Sequence, residues 1–192
     1  MLNDLDLTKE RPLIEFSNND MDKLTFFCFD KDKLNLEIAT LIYEELKLRK
    51  SSSSKKILAS LLSKFSSAGH EPIKWLKDAR AIMTTIKNVD AKPNYTNSIY
   101  IILRDGFTDQ NQKYGVYVGQ TSKSIEERFV EHMSGVNFGR GVEKYGIQLL
   151  KSLWFYGKVR GSKRLYYETK VNVILQEVIP KVSGDFNLDL LD

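Results

Sequence analysis

The sequence predicts an α+β fold: a mostly helical N-terminal region over residues 1–93, then a unit over 94–192 in which short strands alternate with helices. Three observations carry this. Apolar residues recur at helical spacing between Leu34 and Ile86. Two aromatic, β-branched stretches, Ser98–Arg104 and Tyr114–Gly119, flank a polar loop. The second stretch then runs through a glycine and small hydroxyl residues into a helix that opens on acidic residues.

Residues 1–33 are acidic and weakly patterned, with one apolar burst, Leu24–Phe29, whose shortness and aromatic content suggest a strand. Leu34, Ile38, Leu41, Glu45 and Leu48 then make an apolar stripe with one charged interruption. The serine run Ser51–Ser54 breaks that helix and offers Ser54 as the cap of the next. Ile57, Leu58, Leu61, Leu62 and Phe65 form a second stripe, ended by Ser66-Ser67-Ala68-Gly69. A third helix is expected from Pro72, a residue suited to a first helical position, burying Leu76, Ala79, Met83 and Ile86. Pro93 disfavours helix in the residue before it, and the main boundary is placed there.

Downstream, Ser98–Arg104 and Tyr114–Gly119 pair as antiparallel strands around the loop Asp105–Lys113. Ser124-Ile125-Glu126-Glu127 has capping-box spacing, and Ile125, Phe129 and Met133 give the following helix an apolar face. Gly135–Tyr145 is glycine-rich and irregular, and Leu149–Phe155 is apolar enough for a third strand. A last helix over 163–178 buries Tyr167, Val171, Ile174 and Val178 and ends before Pro180, leaving 183–192 as a loosely attached strand.

No apolar run approaches the roughly 20 residues needed to span a bilayer, so no membrane partner is expected. The acidic start lacks the apolar core of a signal peptide. The single cysteine, Cys28, excludes an internal disulfide and a cysteine-based zinc site. A cytoplasmic protein is the expectation. The formal charge of +4 hints at a polyanionic partner, and its distribution says more. From Leu46 to His70 there are six basic residues (Lys47, Arg49, Lys50, Lys55, Lys56, Lys64) and no acidic one, read either as solvated helix faces or as a contact for polyanions. A second group, Lys158, Arg160, Lys163 and Arg164, is read as a nucleic-acid contact.

The chemistry gathers around the two strands. Tyr100 and Tyr117 stand on adjacent strands, where their hydroxyls can share one face. Arg128 and His132, at i and i+4, project to one side of the helix that follows Gly119. Glu168 brings one carboxylate from the last helix, with Arg164 one turn earlier. One carboxylate is too few for the cage calcium prefers but enough for Mg²⁺, which keeps most of its waters and takes substrate phosphate as a ligand. Arginine, tyrosine hydroxyls and one acidic residue suit phosphodiester hydrolysis.

Ser98-Ile99-Tyr100, then Tyr117-Val118-Gly119, then Arg128, His132 and Glu168, resembles the GIY-YIG nuclease family over about 97–178. The resemblance implies a small three-stranded antiparallel sheet flanked by helices, and a DNA endonuclease using a single Mg²⁺ or Mn²⁺ ion. It implies that Tyr100 and Tyr117 lie at the attacking water, one of them as general base with a relay through His132. Arg128 would contact the scissile phosphate, Glu168 would be the sole protein ligand of the metal, and Gly119 and Gln120 would border the substrate. Ser98 stands where the family usually has glycine, and Gln120 where some relatives have lysine. Of two downstream asparagines, Asn187 is preferred over Asn172 as a further site residue. The expected substrate is double-stranded DNA, in a restriction-, phage- or repair-type role. One active site per chain implies a homodimer on DNA or sequential nicking for a double-strand break. The alternative is a catalytically inert nucleic-acid-binding module on the same fold.

Overall fold

The computed structural model describes residues 5–30, 34–86, 95–106, 113–135, 141–153 and 158–191. They form an α+β protein of two compact units, Met1–Leu76 and Lys77–Asp192. The division falls earlier than the Pro93 boundary, and Pro93 itself lies outside the described residues. No helix among the described residues is long and apolar enough to cross a membrane.

The first unit contains α1 (Asn18–Cys28), α2 (Leu36–Arg49) and α3 (Ser52–Ser67). The burst Leu24–Phe29 therefore lies in helix, not strand. Ser17 and Asp20 close a capping box, an aspartate standing where glutamate is usual, and this starts the helix. Met21, Leu24, Thr25 and Cys28 then fall on one buried face, while Phe26 and Phe27 are exposed. A contiguous apolar run holds both faces of a helix, so the run alone could not reveal the period.

In α2 the buried face runs through Leu36, Ile38, Leu41, Ile42 and Leu46, and Leu48 is exposed. Glu45 is buried among them and takes both Arg11 and Arg49. Lys50 ends α2 in the left-handed conformation, and Ser51, not Ser54, caps α3 by accepting from the Ser54 N–H. Ser54 is itself buried, and Leu61 and Phe65 carry the inner face of α3. Phe29 meets Phe65 edge to face at 5.0 Å. In the basic stretch, Lys47, Lys50, Lys55 and Lys56 are exposed, whereas Arg49 is drawn into the fold through Glu45, Asn18 and the carbonyls of Leu13 and Ile14.

The helix α4 (Leu76–Met83) begins one turn later than Pro72, though Leu76, Ala79, Met83 and Ile86 are all buried as expected. The chain continues as β1 (Ser98–Asp105), β2 (Tyr114–Thr121), α5 (Ile125–Met133), α6 (Val142–Tyr145), β3 (Gly146–Leu149), α7 (Arg164–Leu175) and β4 (Val182–Ser183). The sheet is four-stranded and mixed, in the order β3-β1-β2-β4, rather than three-stranded and antiparallel. Its three antiparallel members are present, and the addition is β4, which pairs parallel with Val116 and Tyr117 of β2.

The third strand falls earlier than Leu149–Phe155. After Leu149 the chain passes into a short 3-10 turn over Lys151–Leu153, which buries Leu150 and Leu153 three residues apart. Trp154 and Phe155 of the expected strand lie outside the described residues. The capping box of Ser124 and Glu127 starts α5 as expected, but Met133 is exposed and His132 occupies the inner face instead. In α7 the buried residues are Tyr167, Glu168, Thr169, Val171, Asn172 and Leu175. Most of the tail is not strand: β4 is two residues long, and Leu188–Leu190 is a 3-10 turn.

Candidate active site

Strand register brings the two tyrosines together. Tyr100 lies opposite Gly119, and Tyr117 opposite Ile102, so both rings stand on one face of the β1–β2 pair. Their centroids are 6.3 Å apart. Gly119 is the vacancy into which they lean: a Cβ there would meet the Tyr100 hydroxyl at 2.5 Å and Tyr117 Cε1 at 2.8 Å. Ile125 and Phe129 of α5 pack on the same face with Tyr100 and Ile102. One turn further along α5, the His132 ring sits 5.7 Å from that of Tyr100 and 5.4 Å from that of Tyr117.

The Tyr100 hydroxyl and His132 Nε2 are 2.6 Å apart. Burial, then the adjacent Arg128 charge, push His132 down to about 4, so its imidazole is neutral at ordinary pH. Arg128 donates to the Tyr100 oxygen. The contact pairs the phenol with one imidazole nitrogen, and which of the two donates follows the ring tautomer. Burial and the neighbouring Tyr117 hold Tyr100 above the usual phenol range. Burial followed by the charges of Glu168 and Asp185 does the same for Tyr117, which also shares a hydrogen bond with Tyr100. Tyr100 is 2% exposed whereas Tyr117 is only partly buried, so Tyr117 is the outer phenol and Tyr100 the inner one.

Glu168 is brought to the strand pair by α7, near enough for its charge to act on both phenols. Gln120 points away from the tyrosine face, by strand alternation, and its side-chain amide donates to the Glu168 carboxylate. A second donor is the Asp185 backbone N–H. Glu168 is 1% exposed, and burial raises it to about 7, aided by the Asp185 charge and opposed by Gln120, the Asp185 N–H and Arg164. Its Oε2 has no hydrogen-bond partner among the described residues. A buried carboxylate oxygen left with no donor is what a hard divalent cation would satisfy, so Glu168 fits the metal-ligand role. Among the described residues no group of three or more His, Cys, Asp or Glu gathers into a cage.

Of the expected substrate contacts, Gln120, Arg128 and Arg164 line one open groove of about 300 Å³. Lys158, Arg160 and Lys163 are exposed and do not line it, and Lys163 stacks on the Tyr166 ring instead. Gly119 makes room for the tyrosines, and Gln120, besides lining the groove, donates to Glu168. The Asn187 side chain caps its own 3-10 turn by accepting from the Asp189 N–H. Asn172, one turn beyond Glu168, is fully buried, and its Nδ2 has no partner among the described residues.

The structure adds residues that sequence reasoning passed over. Thr121, Ser122, Lys123 and Glu131 share the groove. Glu131 ties Lys123 to Arg128, the latter at 3.0 Å, and so fixes the guanidinium at the groove wall. The i, i+3 spacing of Arg128 and Glu131 was the available signal. Arg104 on β1 is fully buried beneath the site, donates to Ser183 Oγ at 2.7 Å, and is pushed down to about 10 by burial. Its position in an apolar strand gave no warning of that contact, 79 residues away in sequence. No protein-family model, curated protein or solved structure matches the chain.

Proposed function

We propose that the chain is a divalent-metal-dependent endonuclease that hydrolyses DNA phosphodiester bonds at this site, in the manner of the GIY-YIG nucleases it resembles. One observation carries the reading: two tyrosines, a neutral histidine and an arginine form one hydrogen-bonded cluster, with a buried carboxylate that lacks a partner for one oxygen close enough to bias both phenols. Structural needs alone do not account for that combination, because each buried polar group costs stability unless it is satisfied.

The residues divide the work. Glu168 would hold Mg²⁺ or Mn²⁺, which supplies positive charge at the leaving oxygen. Arg128, braced by Glu131, donates to the non-bridging oxygens of the scissile phosphate. Tyr117, the outer phenol, orients the attacking water. With the His132 ring proton on Nδ1, the water's proton passes along Tyr117 and Tyr100 to Nε2. The resulting hydroxide attacks phosphorus as the P–O bond to the leaving oxygen breaks, and that oxygen takes its proton from solvent. Arg128 is one reason His132 resists protonation, so a phosphate seated on Arg128 offsets that charge and makes the histidine a better base at the moment it is needed. Lys123 and Arg164, on the groove wall, contact flanking phosphates.

The test is nicking of supercoiled plasmid with Mg²⁺ or Mn²⁺ by wild type, Glu168→Gln and Arg128→Ala. Cutting by the wild type, reduced by at least 10²-fold in both variants, is the expected result. Cutting that survives both substitutions would remove the site from the reaction. A wild type that binds DNA without cutting it would replace the enzyme with an inert binding module.

A further inference from the structure

The segment after β4 is built into the site with more care than a loose tail requires. Ser183 accepts from Arg104 and donates to the Val116 carbonyl at 3.1 Å. Gly184 follows with φ 152°, where a Cβ would lie 2.4 Å from the Val118 carbonyl and 2.6 Å from Asn172 Nδ2. Only a glycine allows so close a pass between β2 and α7. Two residues beyond Asp185, the Asn187 N–H donates to Thr169 Oγ1 at 3.0 Å and pins the chain to α7 again. Asp185 is held between these anchors, with its backbone N–H on the Glu168 carboxylate and its own side chain exposed.

We propose that Asp185 is a second protein carboxylate on the divalent cation held by Glu168, so that the seat is formed before nucleic acid arrives. The proposal rests on the reading of Glu168 as a metal ligand. Its support is an excess of acceptors. Glu168 Oε2, in a side chain 1% exposed, and Gln120 Oε1 are both buried with no hydrogen-bond partner among the described residues. The Asp185 carboxylate adds acceptors and no donor. Its charge reaches both Glu168 and Tyr117. Glu168 takes donors from Gln120 and the Asp185 N–H and still leaves Oε2 without one among the described residues. Such an oxygen is relieved by a hard cation, and two carboxylates with retained waters suit Mg²⁺ or Mn²⁺ better than Ca²⁺.

The test is Mn²⁺ titration of the full chain without nucleic acid, at pH 8, followed by calorimetry. Wild type should show one site. Asp185→Asn should weaken it by at least 10-fold and Glu168→Gln should abolish it, while the nearby Asp189→Asn leaves it unchanged. The loss in Asp185→Asn should persist at 0.5 M salt, where a charge acting only through space is screened. Melting of the variants in EDTA verifies that each is folded. A wild type with no site, or an Asp185→Asn protein binding Mn²⁺ within 2-fold of wild type, overturns the proposal. Plasmid nicking run in parallel separates the two readings. An Asp185→Asn protein with normal Mn²⁺ affinity beside a wild type that cuts sinks the second carboxylate and spares the nuclease. A wild type that loads Mn²⁺ through Asp185 yet never cuts does the reverse.

Discussion

The Tyr100 hydroxyl lies 2.6 Å from His132 Nε2 with both side chains sealed from solvent, so neither group can exchange its partner for water. Tyr100→Phe therefore strands a buried imidazole nitrogen, and the expected cost is about 1–3 kcal/mol of folding stability. If the proton relay is as proposed, single-turnover nicking falls by roughly 10²-fold or more in the same variant. Denaturant melts and nicking rates check the two effects independently. A Tyr100→Phe protein as stable and as active as wild type would show that this contact is incidental.

Glu168 makes the metal-free protein sensitive to pH in a defined direction. Its folded value is raised from 4.5 to about 7, so the folded state favours the protonated carboxyl. Such a group contributes stability that is complete below the unfolded value and is lost as pH rises through the folded one. In EDTA, stability should fall between about pH 4.5 and pH 7, by an amount on the order of 3 kcal/mol. Glu168→Gln, which never ionises, should be the more stable protein at pH 8, with the gap closing near pH 4.5. Melting temperatures across that range decide it, and an advantage for Gln that does not depend on pH would contradict the assignment.

Much of the second unit could be read from sequence because its signals are local. The Ser124–Glu127 capping box, the strand pair around Tyr100 and Tyr117, and the Arg128–His132 spacing each occupy a few neighbouring residues. What escaped depends on distant partners. Gln120 reads as a substrate contact alone until α7 places Glu168 against it. Asp185 reads as tail until Gly184 threads it between β2 and α7. Leu24–Phe29 reads as strand because the helix signal, Ser17 with Asp20, lies ahead of the apolar run and uses the less common acid. Leu48 fits the stripe of α2 by spacing yet is exposed, because Ile42 and Leu46 define the buried side.

Gly119→Ala tests whether the glycine serves the tyrosines rather than the substrate. The new methyl would need the 2.5 Å occupied by the Tyr100 hydroxyl, which His132 and Arg128 already hold in place. The expected outcome is a folded sheet with the Tyr100–His132 contact broken and activity reduced by about as much as in Tyr100→Phe. Combining the two substitutions should then cost little more than either alone, because both remove the same contact. Fully additive losses in nicking rate would place Gly119 in a separate function.

The basic stretch of the first unit separates into one structural arginine and a set of lysines. Glu45, 4% exposed, accepts from Arg11 at 2.9 and 3.1 Å and from Arg49 at 2.8 Å. Burial alone would raise its carboxyl, but the hydrogen bonds from Arg11 and Arg49 outweigh it and hold Glu45 below its ordinary value. Glu45→Ala should cost about 1.5–3 kcal/mol at pH 7, the range for losing hydrogen bonds to charged groups, since the arginines left behind keep access to solvent. A carboxyl held low contributes stability that is present above its unfolded value of 4.5 and is lost as pH falls through the folded one. The gap between wild type and Glu45→Ala should accordingly narrow in acid. Arg49→Ala should lower the melting temperature and leave the salt dependence of DNA binding unchanged, since its guanidinium is spent on Glu45, Asn18 and two carbonyls. The Lys55→Glu, Lys56→Glu pair should do the opposite, preserving the melt while reducing the salt slope by about one for each phosphate that a lysine no longer neutralises. Equal salt slopes for wild type and the lysine pair would mean that α3 presents an ordinary solvated face.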